Sequence, residues 1–262
     1  MRSSILLASA LGALTTIAAP TWPALNMNAA MPGSLDTVSA YFNMLARKVQ
    51  ESRQMTVAPV CDLSKAQLPE APVPLPPVSA GLALKHVAVG RGTQNYTCDT
   101  TNATAAPVQV GAVATLFNAS CVVSSYPDLA NMITKMALRF SLTDEEARLG
   151  PSNLAISGMH YFTNTTTPFF NLDRPNLQLG EAPSAKLNGT SAPADAAKGP
   201  NGEAAVPWLK LKTRDGATGD LQEIYRVETA GGSAPATCAG MPATFEVQYS
   251  AQYFFYSGHK ST

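Results

Sequence analysis

Between Phe245 and Phe255 the chain alternates. Phe245, Val247, Tyr249, Ala251, Tyr253 and Phe255 take one parity, and Glu246, Gln248, Ser250 and Gln252 the other. A period of two predicts a strand with one buried and one wet face. Leu209 and Leu211 alternate with Lys210 and Lys212 in the same way. Residues 82–89 form an apolar run, and residues 108–117, 155–162, 168–172 and 224–229 are rich in strand formers. Turn formers such as Asp215-Gly216 and Gly231-Gly232 separate them. Two segments follow a helical period instead. In residues 34–54, Leu35, Val38, Tyr41, Phe42, Leu45 and Val49 recur on one face, with Ser34 as N-cap and Asp36 in the first turn. In residues 127–138, Leu129, Ile133, Met136 and Leu138 do the same, and Thr143-Asp144-Glu145-Glu146 resembles a second capped helix start. The stretch LPEAPVPLPP, residues 68–77, forbids helix and central strand and predicts an extended strap. Residues 181–205 are rich in Ala, Pro, Gly and Ser and are expected as a surface loop. The pattern predicts a mainly β chain: an antiparallel β-sandwich or flattened barrel with peripheral helices.

The N-terminus changes the expected compartment. Arg2 precedes ILLASALGALTTIAA, residues 5–19, with small residues at Ala18 and Ala19 where a signal peptidase cuts. The run is shorter than the ~20 residues a spanning helix needs. The expected organisation is a signal peptide over 1–19 and an N-terminal helical segment over 20–59. A Pro-rich linker covers 60–78, a single β-rich domain 79–257, and a polar tail 258–262. Two further features agree with export. Cys61, Cys98, Cys121 and Cys238 are an even set with no Cys-x-x-Cys pair, as two disulfides require, and three pairings are open. Asn-x-Ser/Thr occurs at Asn95, Asn102, Asn118, Asn164 and Asn188. Charged residues are 14% of the chain, with 18 basic against 18 acidic, so neither a nucleic acid nor an anionic membrane is an expected partner.

Residues 90–98, GRGTQNYTC, pose the sharpest chemical question, because Gly-x-Gly after a strand opens a dinucleotide loop. That fingerprint needs a third glycine, a helix behind it and an acid about 20 residues on. Here Asn95 stands at the third position, NYTCDT is a poor helix start, and no acid lies near residue 115. The better reading is a glycine turn feeding a strand. Asn95 and Thr97 then face water, while Tyr96 and Cys98 face the core. No cofactor is indicated. Histidine occurs at His86, His160 and His259. His160, in GMHYF, is the first weak candidate for catalysis. His86 is the second, and its expected state is buried and neutral on a backbone partner. No Gly-x-Ser-x-Gly elbow or His-Glu-x-x-His helix is present.

Taken together, GLALKHVAVGRGTQNYTC, GMHYF, VPWLKLK, YRVETAGGSAP with Cys238, and YSAQYFFY resemble the domain of unknown function 3455 family of exported fungal and bacterial proteins. Its fungal members often carry the label "malate dehydrogenase". The residues conflict with that label: there is no nucleotide loop and no strand–helix alternation. The resemblance implies pairing of Cys98 with Cys238 and of Cys61 with Cys121. The expected function is a secreted, N-glycosylated, disulfide-bonded binding or structural module. Its expected partner is a wall carbohydrate or an extracellular protein, with Tyr161, Phe162, Phe169, Phe170 and Trp208 as the aromatic supply. The alternatives are a secreted hydrolase or oxidoreductase and a host-directed effector.

Overall fold

A computed structural model of the chain describes residues 34–54, 61–139, 148–149 and 152–258. The expected leader, the 143–146 helix start, His259 and most of the polar tail lie outside these residues. Among the described residues nine strands form in chain order: β1 (Leu82–Thr97), β2 (Val108–Asn118), β3 (Arg148–Leu149), β4 (Leu154–Asn164), β5 (Thr167–Arg174), β6 (Leu177–Thr190), β7 (Trp208–Thr213), β8 (Leu221–Gly231) and β9 (Thr244–Gly258). Hydrogen bonding runs β2-β1-β9-β8-β7-β6-β5-β4, and β2 also pairs with β4, so eight antiparallel strands close on themselves. β3 is a short addition to β4. The sandwich alternative is therefore replaced by a barrel. Closure leaves no long unpaired edge among these strands.

Period-two alternation sorts the strands into a lumen face and an outer face. Ala88, Leu116, Phe170, Ile224, Tyr253 and Phe255 pack in the lumen. Val87, Val89, Trp208, Tyr225, Val227 and Phe254 pack outward. Three helices cover part of that outer face: α1 (Ser34–Gln54), α2 (Ser120–Ser125) and α3 (Pro127–Ala137). α1 inserts Tyr41, which is fully buried, while Phe42 stays exposed. α3 begins on Pro127 with Asp128 in its first turn, and its last carbonyl, Ala137 O, accepts from the buried Arg91 Nε at 2.8 Å. This layer corrects one expectation about β9. Its polar face is wet only at its start: Glu246 is exposed, but Ser250 and Gln252 are buried, donating to Thr134 O at 2.6 Å and Asn131 Oδ1 at 2.7 Å on α3.

Two other expectations change. Residues 177–190 are strand, so the expected loop over 181–205 begins only at Ser191; pairing on both sides with β5 and β7 overrides weak local propensity. Gly90 and Gly92 lie in the middle of β1, paired with β2 and β9, and form no turn. They are glycines because of close packing. A Cβ at Gly90 would sit 2.6 Å from the Tyr253 ring, and one at Gly92 would sit 1.8 Å from Val113 O.

The Pro-rich segment lies along the barrel wall. Tyr225 donates to Pro76 O at 2.8 Å and Lys210 to Pro77 O at 2.7 Å. Lys210 also pairs with Glu223 at 3.0 Å, both side chains nearly fully buried. Glu223 accepts from Ser79 N and Ser79 Oγ, at 3.1 Å and 2.6 Å. Burial alone would raise the Glu223 carboxyl, but the hydrogen bonds from Ser79 and Lys210 outweigh it and hold the group below its usual range. Disulfides join Cys61 to Cys121, tying this strap to α2, and Cys98 to Cys238, tying the end of β1 to the β8–β9 connection.

Candidate functional site

Alternating strand direction places the β1–β2, β4–β5, β6–β7 and β8–β9 connections at one end of the barrel. The lumen opens there as a cavity of about 190 Å³. Gln109, Thr165, Thr166 and Lys186 form its exposed rim, and His160, Phe170, Leu211, Arg226 and Tyr253 its buried floor. An eight-stranded barrel is just wide enough to be filled by side chains or to hold one small ligand. Ala112, Ala114 and Ala182 pack inside the lumen as small residues.

The floor is an aromatic stack with polar edges. His160 lies on Phe170, centroids 4.2 Å apart and planes 10° from parallel, and Phe170 meets Tyr253 edge-on at 5.4 Å. His160 Nδ1 is 2.9 Å from Phe169 O, and a carbonyl only accepts, so Nδ1 carries the proton and Nε2 keeps its lone pair. Burial, with a smaller push from the Arg226 charge, lowers the His160 pKa to about 4, so the ring is neutral near pH 7. The Tyr249 and Tyr253 hydroxyls are hydrogen-bonded at 2.9 Å, and burial raises both phenols.

Arg226 is the unusual member. It lies on the lumen parity of β8 with Ile224, and the residue is only 7% exposed. Its Nη2 donates to Pro207 O at 2.9 Å, and its charge lies near enough to the Tyr253 phenol to act on it against the effect of burial. Its Nε has no partner. Among the described residues it forms no ion pair, and no Asp or Glu lines the cavity. A guanidinium stays charged at any ordinary pH, and a buried charge without a counter-ion is costly.

His86 lies toward the opposite end and takes no part in this cavity. It is held between Ser157 Oγ at 2.9 Å and Ser120 Oγ at 3.0 Å, two hydroxyls where a backbone partner was expected. Burial lowers its pKa to about 4. Among the described residues neither His86 nor His160 has a carboxylate hydrogen-bond partner, and no cluster of three His, Cys, Asp or Glu could hold a metal ion. The expected aromatic supply is divided. Phe162 and Phe170 face the lumen, Tyr161 and Phe169 pair at 5.2 Å on the outer face, and Trp208 is buried in the outer core. Asn95, Asn102, Asn164 and Asn188 all fall at the mouth end, and Asn118 at the other. Asn102, Asn164 and Asn188 are exposed, whereas Asn95 and Asn118 are half-buried.

The sequence model of the family described as "Protein of unknown function (DUF3455)" matches residues 78–257. The chain belongs to this family. The match begins at Val78, beside the Pro76 and Pro77 anchors of the strap, and ends inside β9, so it covers the whole barrel. No curated protein and no solved structure matches the chain. Sequence reasoning passed over Arg226, Tyr249, Tyr253 and Lys186. A cation within a run of strand formers, at 224–229, was the one available signal for Arg226.

Proposed function

We propose that the protein is an exported barrel that holds one small organic molecule in the mouth of its lumen. The observation that carries this reading is the cavity: an aromatic and aliphatic floor with a few convergent polar groups, inside a closed barrel, open at one end. Its ~190 Å³ corresponds to about six waters at ~30 Å³ each, or one ring with a short arm. A wall polymer does not fit in such a space, so carbohydrate recognition, if this protein performs it, uses another surface. Export is supported by the leader-like residues 5–19, the five sequons and the two disulfides. No described helix is long and apolar enough to cross a membrane.

Binding accounts for the site better than catalysis does. His160 has a lone pair in the cavity but no orienting carboxylate, and its depressed pKa makes it a poor general base at neutral pH. The test is ligand-observed NMR on the purified glycoprotein with single-ring compounds, comparing the natural protein with Leu211→Trp, which fills the lumen. Saturable binding, abolished by that substitution in a protein of unchanged circular dichroism, is expected. Absence of binding by every ring compound would remove the reading. Peptide mapping of protein from a eukaryotic host, with glycans on Asn102, Asn164 and Asn188, tests the export component.

A further inference from the structure

We infer that the lumen ligand is a carboxylate, held by Arg226 at the floor of the cavity with its flat apolar body against Phe162 and Phe170. This deepens the binding reading above and rests on it. Among the described residues the cavity is lined by two cations and no anion: Arg226 below and Lys186 at the rim. Arg226 is buried and has no ion-pair partner among the described residues. Pro207 O accepts from Nη2, and the Tyr253 phenol lies beside the guanidinium. A carboxylate is the group that supplies the missing negative charge, and its planar shape suits a guanidinium.

The surroundings narrow the class. The neutral His160 adds no second charge at the floor, and its Nε2 accepts from a hydroxyl on the ligand. Phe162, Phe170, Leu209 and Leu211 offer only apolar surface, so the remainder of the ligand is a ring or short hydrocarbon. The volume leaves no room for a second anionic group with its own hydration. The ligand class is therefore a small monocarboxylate of benzoate or cinnamate size, and a hydroxyl on its body is tolerated.

The experiment compares benzoate and cinnamate with benzamide and cinnamamide, which keep the shape and lose the charge. Binding to the full glycoprotein is followed by calorimetry. The expected result is at least a tenfold preference for each acid over its amide, weakened by salt. Arg226→Met should abolish the preference while raising the melting temperature of the unliganded protein, because an unpaired charge leaves the interior. Arg226→Lys should retain part of the preference, because it keeps the charge and loses the fork. Equal binding of acid and amide overturns the carboxylate inference but leaves the binding barrel standing. Acid preference unchanged in Arg226→Met also overturns it. Failure of acids, amides and neutral rings alike removes both readings. Should Arg226→Met fail to fold, Arg226→Lys and the salt dependence decide, and a salt-independent, Lys-insensitive affinity overturns the inference.

Discussion

His86 and His160 are buried without charge partners, and this should make the protein lose stability in mild acid. Each has a folded pKa of about 4 against an ordinary 6.5. The unfolded chain therefore binds protons between those values while the folded one does not. Stability from each imidazole is complete above pH 6.5 and is lost as pH falls toward 4. From pH 7.5 to 4.5 the loss is about 2.5 kcal/mol per histidine, or about 5 kcal/mol for the pair, a large part of a domain's usual 5–15 kcal/mol. Two carboxylates modify the profile. Glu228 is raised by burial and by Asp195, against Lys135, so it opposes the loss as pH falls through its raised value. Glu223 is held low, so its contribution begins to disappear only below about 4.5, its unfolded value. The assay is urea unfolding under non-reducing conditions at pH 7.5, 6.0 and 4.5, with imidazole NMR titration of the native state. His86→Asn and His160→Asn should each remove about half of the pH dependence. Free energies equal within about 1 kcal/mol across that range, or the His86 and His160 imidazoles titrating above pH 6, would refute the reasoning.

Other perturbations test the architecture. Glu223→Gln leaves Lys210 charged and buried and should cost about 3–5 kcal/mol, with Lys210→Met in the same chain restoring most of it; a urea double-mutant cycle measures both. Gly92→Ala places a Cβ 1.8 Å from Val113 O and should yield no folded protein. Gly111→Ala, whose nearest atom is 3.7 Å away, should keep a native circular-dichroism spectrum. Replacing Cys98 and Cys238 by Ser opens a link 140 residues apart and should cost about 5 kcal/mol in the chain-entropy picture. That is more than removing the Cys61–Cys121 link of 60 residues, and melting curves of the two pairs rank them.

Much of the strand content was legible, because alternation is a local property. The β9 pattern and the Leu209/Leu211 pair follow from period two alone. What alternation cannot carry is which parity faces the lumen. In β8 both faces are largely apolar, Ile224 on one and Tyr225 and Val227 on the other. Arg226 therefore looked like any strand residue until β8 paired with β7 and β9 and turned it inward. β6 was missed for the same reason: its Ala, Gly and Ser residues have little strand preference, and only neighbours on both sides make them strand. The covering of Ser250 and Gln252 by α3 likewise depends on residues more than a hundred positions away.

The sequence by itself determined a mainly β chain with flanking helices, an extended proline strap, an export-type cysteine and sequon pattern, and a Gly-x-Gly that is no phosphate loop. Each of these is written in spacing or composition over a few neighbouring residues. Tertiary structure alone decided that the sheet closes, that Gly90 and Gly92 serve packing across strands, and that Arg226 stands at the floor of an open lumen with no ion-pair partner among the described residues. Closure is a pairing between β2 and β4 across intervening helices, and a charge lacks a partner only with respect to everything folded around it.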